Sequence, residues 1–95
     1  MFVINVVLTV KEEAKIDDVR ELLRQHSRLT RTEPGCLLFN VCHAENDPKV
    51  FILNEHWESK EAWEVHKTAE GVTTIYQPQV IPLVERSPYF CEIVE

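Results

Sequence analysis

The fourteen residues NEHWESKEAWEVHK, 54–67, contain two tryptophans, two histidines and four glutamates. Histidine titrates near neutral pH, so His66 is a candidate general base, or a hydrogen-bond donor to a phenol or enediol. Ala62 and Trp63 lie four and three residues before it, which places all three side chains on one face of a predicted helix. A histidine at the end of a helix that bonds a carbonyl remains the alternative.

Two further residue types could assist such a base. His26 lies among the leucines of the predicted helix 14–32. It is either a pocket residue facing His66 or a core histidine with satisfied hydrogen bonds. Glu55 either orients a substrate hydroxyl or His66, or caps the following helix. Aromatic walls suit flat ligands, although tryptophans this dense also build cores. The candidate substrate-binding residues are Trp57, Trp63, Tyr76 and Phe39.

Several other kinds of site are not indicated by the sequence. His43, His56 and His66 lack close metal-ligand spacing with carboxylates on one element, so no metal site is predicted. The chain has only two glycines and no P-loop, GxGxxG or GxSxG motif, so no nucleotide or flavin cofactor is predicted.

Length and charge narrow the class of protein. The 95 residues predict one domain, 1–95, with a formal net charge of −6, which argues against binding to nucleic acid or an anionic membrane. Apolar runs are only a few residues long, and the N-terminus does not resemble a signal peptide. Three cysteines without a CxxC pair predict reduced, mostly buried thiols in a cytoplasmic protein.

Periodicity predicts the order β-α-β-β-α-β, a ferredoxin-like α+β fold with a four-stranded antiparallel sheet and both helices on one face. Gly71 should interrupt the second helix before another short segment at 72–76, and the path of 68–86 is not predicted. The predicted strands are 2–10, 36–44, 50–57 and 89–94, and the predicted helices are 14–32 and 59–67.

Alternation along the strands predicts self-association. Neither face of the first or third predicted strand is consistently polar. In an antiparallel sheet with one solvated face, that face normally carries polar side chains. Two helices cover only one face. We therefore expect a homodimer in which the other face is covered by the same sheet of a second copy.

Two segments, EPGCLLFNV and DPKVFILNEHWESKEAWEVH, resemble the antibiotic biosynthesis monooxygenase family of dimeric α/β barrels, and the similarity extends over almost the whole chain. This family includes cofactor-independent oxygenases of quinols and polyketide aromatics, haem-degrading proteins and an isomerase of a phosphorylated quorum signal. The matching motif residues are Glu33 to Cys36, Phe39, Asp47, Pro48, Glu55, Trp57, Ala62 and His66.

The haem-degrading members use an asparagine of the first strand together with a tryptophan and a histidine. Asn5 falls one position out of phase with that asparagine, which reverses the face of the strand. His66 stands where those members have tryptophan, and Tyr76 stands where they have histidine. Haem degradation is therefore not expected.

The resemblance implies a small cofactor-independent monooxygenase that acts with O2 on an electron-rich aromatic such as a quinol or polyphenol. One alternative is a non-catalytic dimeric barrel of stress-response type that binds a hydrophobic small molecule. Another is an isomerase of a phosphorylated signal, which requires a basic pocket. The residues that would supply such a pocket are Arg20, Arg24, Arg28 and Arg31.

Overall fold

The computed structural model describes all 95 residues and confirms the order β-α-β-β-α-β. The region 68–86, whose path was not predicted, contains a turn, a π-helix, a short 3-10 turn and the first three residues of the last strand. The elements are β1 Phe2–Val10, α1 Ile16–Thr30, β2 Cys36–His43, β3 Val50–Trp57, α2 Lys60–His66, the π-helix Gly71–Val80 and β4 Val84–Cys91, with 3-10 turns at Glu13–Lys15 and Ile81–Leu83.

The four strands form one antiparallel sheet in the order β2-β3-β1-β4. This is the predicted ferredoxin-like α+β fold, and the sheet of a single chain stays open rather than closing into a barrel. Phe2 pairs with Trp57 at one end of the β1–β3 ladder, and Thr9 pairs with Val50 at the other. The register shifts between Cys36 and Leu38 of β2.

The core lies between the helices and one face of the sheet. Because side chains alternate along a strand, β1 and β3 each send every second residue to this inner face. α1 adds Val19 and Leu23, and the π-helix packs beside α1. The core residues are Ile4, Val6, Leu8, Val10, Val19, Leu23, Phe39, Phe51, Leu53, Trp57, Val80 and Val84.

The outer face of the sheet carries no helix. One row across its four strands reads Asn40, Asn54, Asn5 and Tyr89. Asn54 Nδ2 donates to Asn5 Oδ1 at 2.6 Å, and Asn5 Nδ2 lies 3.2 Å from Cys91 Sγ. Asn5 therefore bonds its neighbours on the outer face, as its phase in the strand indicated.

The helix ends follow local hydrogen bonding. Ser59 has extended backbone geometry, and its Oγ accepts a hydrogen bond from the Ala62 N–H at 3.1 Å, so Ser59 is the N-cap of α2. α1 is shorter than predicted, since 13–15 form a 3-10 turn and the chain turns after Thr30. None of the helices has the length and apolar character needed to cross a membrane.

The last strand differs most from its prediction. β4 begins at Val84 and ends at Cys91, whereas the sequence pattern placed it at 89–94. Pro78 and Pro82 made the region before residue 89 look irregular in the sequence. However, β4 is an edge strand, and an edge strand tolerates a residue such as Pro88 because the missing N–H need not bond a neighbour.

The three cysteines are free thiols. The expectation that they are mostly buried was wrong, because Cys42 and Cys91 are exposed and only Cys36 is half-buried. Cys42 pairs with Ile52 and Cys91 with Val3, two residues of the outer face. Their positions follow from strand alternation on a face without a helix.

Gly35, in the turn before β2, cannot be replaced without strain. It has a φ of +83°, and a Cβ built on it would lie 2.6 Å from the Ala62 Cβ. We expect Gly35→Ala to lower the free energy of unfolding by about 2–4 kcal/mol, from left-handed backbone strain and overpacking together. Urea denaturation measures this loss.

A second variant separates the two causes. Ala62→Gly removes the close contact but itself costs about 1 kcal/mol of helix stability, so the loss caused by Gly35→Ala is measured again in the Ala62→Gly background. It should be smaller there than in the wild type, and what remains is the backbone strain. A single Gly35→Ala variant as stable as the wild type would contradict the strain assigned to this turn.

Candidate active site

Glu33 and His66 form a buried pair where the turn after α1 meets the end of α2. His66 Nδ1 lies 2.9 Å from Glu33 Oε1, and the two side chains are 7% and 14% exposed. The Glu33 N–H donates to the Thr30 carbonyl, and the Glu58 N–H donates to the Gly35 carbonyl at 2.8 Å. These backbone bonds attach the turn that carries Glu33 to α1 and to the start of α2.

Burial opposes charge on both members of this pair. It lowers the pKa of His66 to about 4 and raises the pKa of Glu33 to about 7. Near neutral pH the imidazole is therefore uncharged while Glu33 passes between acid and carboxylate. When Glu33 is ionised, Nδ1–H donates to Oε1, so Nε2 keeps its lone pair and can accept a proton.

The second oxygen of Glu33 is unusual. Oε2 is buried and has no hydrogen-bond partner. Buried polar atoms are nearly always bonded, so an orphan of this kind requires an explanation. An unbonded buried oxygen disfavours the charged carboxylate, in keeping with the raised pKa of Glu33.

His26 stands beside this pair, within an aromatic stack. Its ring lies parallel to that of Tyr76 with centroids 4.9 Å apart, and its centroid is 5.9 Å from that of His66. Burial, followed by the neighbouring His66, lowers the pKa of His26 to about 4, against the opposing effect of a hydrogen bond that the imidazole donates to the Gly71 backbone. The two histidines thus face each other as uncharged rings.

Gly71 makes room for His26. A Cβ at this position would lie 2.9 Å from His26 Nδ1, which is tighter than normal van der Waals contact. Thr30 Oγ1 also approaches this nitrogen, at 3.5 Å. The first residue of the π-helix is therefore a close backbone neighbour of the imidazole.

Glu55 lies on β3 at the floor of the site. It is 3% exposed, and Oε1 accepts a hydrogen bond from Trp57 Nε1–H at 3.0 Å. Burial raises the pKa of Glu55 to about 7, against the Trp57 hydrogen bond and the charge of Arg86. Glu55 does not cap α2, since Ser59 does so.

Removing this carboxyl group should change how stability depends on pH. The pKa of Glu55 is about 7 when folded, against an ordinary 4.5. The contribution of Glu55 to the free energy of unfolding is therefore fully present below pH 4.5 and is lost as pH rises through about 7. Glu55→Gln keeps an acceptor for Trp57. The wild-type advantage in free energy of unfolding should fall over this range in chemical denaturation, and a constant difference would contradict the raised pKa.

Cationic side chains stand at the rim. Arg86 Nε donates to Tyr76 Oη at 3.0 Å. Burial raises the pKa of Tyr76, while the charge of Arg86 acts against this. Lys67 Nζ lies 4.4 Å from the centre of the Trp63 ring, which is a cation–π distance.

These groups surround a cavity of about 330 Å³ between the sheet, α2 and the π-helix. Its volume is in the range of small-molecule sites. Apolar and aromatic side chains make up much of the wall, with a few polar groups converging on it. The lining residues are His26, Leu53, Glu55, Trp63, His66, Lys67, Val72, Tyr76, Gln77, Ile81 and Arg86.

Most of the candidate residues named from the sequence line this cavity. The structure brings together His66, His26, Glu55, Trp63 and Tyr76. Trp57 and Phe39 instead lie in the core behind the wall, with ring centroids 4.6 Å and 6.1 Å from that of His66. They support the His66 ring without lining the cavity.

Three residues of the site were not among the sequence candidates. Glu33 belongs to the EPGC motif, and the motif was its only signal. Arg86 was missed because β4 was placed too late in the chain. Lys67 follows His66 directly, and its contact with Trp63 depends on how α2 ends.

The arginines considered as a basic pocket lie elsewhere. Arg20, Arg24, Arg28 and Arg31 line a different cleft, which shares no residue with the His66 cavity. The positive charge at the cavity comes from Lys67 and Arg86 instead. No group of three or more His, Cys, Asp or Glu side chains is placed to hold a metal ion.

Solved structures with the same fold cover nearly the whole chain. A proposed antibiotic biosynthesis monooxygenase from Nitrosomonas europaea is 18% identical, with a TM-score of 0.88 and 100% of both chains covered. One from Deinococcus radiodurans is 26% identical, with a TM-score of 0.81 and 97% of this chain and 93% of that chain covered. A Bacteroides thetaiotaomicron protein of unknown function, described as a possible oxidoreductase, is 19% identical, with a TM-score of 0.88 and coverage of 96% and 95%.

A comparison with curated proteins finds no significant match. The family model described as antibiotic biosynthesis monooxygenase matches residues 1–77. This range holds the EPGC turn, His66 and Tyr76. The chain therefore belongs to the antibiotic biosynthesis monooxygenase family.

Proposed function

We propose that the cavity is the active site of a small monooxygenase that oxidises an electron-rich aromatic, such as a quinol or polyphenol, without a metal or organic cofactor. The observation that carries this proposal is the position of His66 at the wall of an aromatic cavity, with its Nδ1 held by the buried Glu33 behind it. Membership of the family supports the reaction class.

His66 acts as the base in this proposal. Its Nδ1 is held by Glu33, so Nε2 is the nitrogen available to a phenolic hydroxyl. An imidazole held uncharged by burial can accept the phenolic proton, and the Glu33 carboxylate then stabilises the imidazolium. The rings of His26, Tyr76 and Trp63 offer flat surfaces against which an aromatic substrate can pack.

The substrate supplies all the electrons. A quinolate is a strong reductant and transfers one electron to O2; the radical pair recombines at a ring carbon to give a hydroperoxide. Loss of water from this intermediate leaves a hydroxyquinone. One oxygen atom enters the ring and the other leaves as water, so each turnover consumes one quinol and one O2. The apolar wall excludes bulk water from the radical pair.

Oxygen uptake with a panel of reduced quinols tests this function. We expect uptake well above spontaneous oxidation, and transfer of one labelled oxygen atom from isotopic O2 into the quinone product. If tight binding is found without uptake for any quinol, the non-catalytic carrier of a hydrophobic small molecule becomes the better assignment.

We also propose a homodimer formed through the outer face of the sheet. Apolar side chains remain accessible there, among them Ile52, which is 36% exposed, and Tyr89, which is 57% exposed. Ile52 pairs with Val7 on β1 and Cys42 on β2, near the middle of the face. Covering these side chains would increase the buried apolar area of a domain of only 95 residues, whose own core is small.

Sedimentation analysis of two lysine variants tests the dimer. Ile52→Lys places a charge in the proposed interface and should give a monomer. Val65→Lys changes an exposed residue on the helix side, which is 65% exposed, and should remain dimeric. A wild-type monomer at micromolar concentration would contradict the proposal. A cytoplasmic location is likewise proposed, because all three cysteines are free thiols, as in a reducing compartment.

A further inference from the structure

A second cleft, of about 290 Å³, lies between α1 and the edge strand β2. Four arginines line it, and no carboxylate does. The remaining wall is formed by Ser27, Val41, His43 and Phe51. The arginine residues are Arg20, Arg24, Arg28 and Arg31.

The arginines lie on one side of α1 and just beyond its end. Arg20, Arg24 and Arg28 are spaced four residues apart, so their side chains are neighbours along the helix surface. Like charges at this spacing destabilise a helix. A chain with a net charge of −6 thus concentrates four of its ten basic residues in one cleft.

Little of this charge is neutralised within the protein. Arg24 forms an ion pair with Glu21 at 2.9 Å, and none of the other three arginines has a carboxylate within 4.0 Å. Arg31 Nε donates to the Phe39 carbonyl at 2.9 Å, which positions the guanidinium but supplies no negative charge.

His43 orients Arg20 in a similar way. His43 Nε2 lies 2.7 Å from the Pro48 carbonyl and therefore carries the hydrogen, while Nδ1 accepts from Arg20 Nη1 at 2.9 Å. The imidazole is held in place by its stacking on Phe51, with centroids 4.0 Å apart. Arg20 is thus positioned by an acceptor that carries no negative charge.

We propose that this cleft binds a small polyvalent oxyanion of the phosphate class, a pyrophosphate or a phosphate ester. Four guanidinium groups less the one paired with Glu21 leave three unmatched positive charges. Guanidinium groups bind phosphate oxygens through paired N–H donors, and an anion of about three negative charges would balance the cleft. The site is separate from the His66 cavity, so the ligand is not the aromatic substrate.

The melting temperature shows whether the cleft binds an anion. Arg28 has no hydrogen-bond or ion-pair partner in the protein. The helix dipole favours its charge in the last turn of α1, while Arg24 opposes it, so each protein is compared with and without ligand. Pyrophosphate should raise the melting temperature of the wild type clearly more than that of Arg28→Gln, and an equal rise in both would contradict the proposal.

Calorimetric titration with pyrophosphate at constant ionic strength tests binding directly. We expect one pyrophosphate per chain, with affinity at least about tenfold weaker in the double variant Arg20→Gln with Arg28→Gln. The control is Lys11→Gln with Lys60→Gln, which changes the net charge equally at exposed positions outside the cleft and should bind as the wild type does.

Three anions distinguish the ligand class. Pyrophosphate should bind more tightly than inorganic phosphate, because it offers more charge and more acceptor oxygens. Citrate, a trivalent carboxylate, should bind more weakly than pyrophosphate. The proposal is overturned if pyrophosphate gives no saturable heat, if the lysine control loses as much affinity as the arginine variant, or if citrate binds equally well.

Discussion

Replacing His66 by alanine is expected to lower kcat for quinol oxygenation by about 10²- to 10⁴-fold, the usual contribution of a positioned general base. Nε2 of this residue is the proton acceptor in the proposed reaction, and the cavity has no other base held by a carboxylate in the same way. The measurement is steady-state oxygen uptake at saturating quinol. Circular dichroism and the melting temperature establish that the variant is folded.

Glu33→Gln provides the sharper control, because it retains the size of the side chain. The Glu33 carboxylate accepts from Nδ1–H, whereas a glutamine amide can donate to Nδ1 and thereby move the proton to Nε2. Wild-type activity should rise as pH passes through about 7, where Glu33 ionises. In Glu33→Gln activity should be low and this rise should be absent.

Two outcomes would contradict the role of the pair. One is full oxygen uptake by a folded His66→Ala variant. The other is an unchanged pH profile in Glu33→Gln, which would assign the ionisation near pH 7 to another group, with Glu55 the first to examine because its pKa is also raised to about 7.

Replacing Trp57 by alanine should have the largest effect on stability, a loss of about 3–5 kcal/mol in free energy of unfolding. Trp57 is fully buried at the end of β3, and its indole N–H donates to the buried Glu55. The substitution leaves a large cavity and removes the donor. In a chain of 95 residues, this corresponds to a fall in melting temperature of at least about 12 °C.

A less drastic variant and a surface control set limits on this effect. Trp57→Phe loses the N–H and part of the indole ring but keeps much of the buried volume, so it should lose clearly less stability than Trp57→Ala and should raise the pKa of Glu55 further. Val65→Ala, at an exposed position of α2, should change stability by less than about 0.5 kcal/mol. A Trp57→Ala variant that melts within a few degrees of the wild type would contradict the packing described for β3.

The sequence predicted the strands best where alternation was uninterrupted. β1 and β3 have the bounds that the pattern indicated, because each is an apolar run between polar turns. The first residues of β4 were missed because Arg86, Ser87 and Pro88 resemble a loop when read alone. Their strand geometry comes from pairing with Val6, Val7 and Leu8 of β1, and such a tertiary contact is not encoded locally.

The same limit applies to the site. His66 could be selected because it shares a helical stripe with Ala62 and Trp63, and His26 because it lies on the apolar side of α1. The contact between Glu33 and His66 joins residues 33 positions apart, so it depends on how the EPGC turn meets α2. Only the folded chain brings the carboxylate to the imidazole.

The length of the π-helix Gly71–Val80 determines which side chains face the cavity. Its backbone bonds span one residue more than those of an α-helix, so it behaves like an α-helix with an inserted residue. Deleting a residue from 72–75 would restore α-helical winding and turn every later side chain by roughly 100°. Tyr76 would then leave the ring of His26, and a different residue would face the substrate. Family members that differ in length here are thus expected to differ in the ligands they accept, even where their histidines coincide.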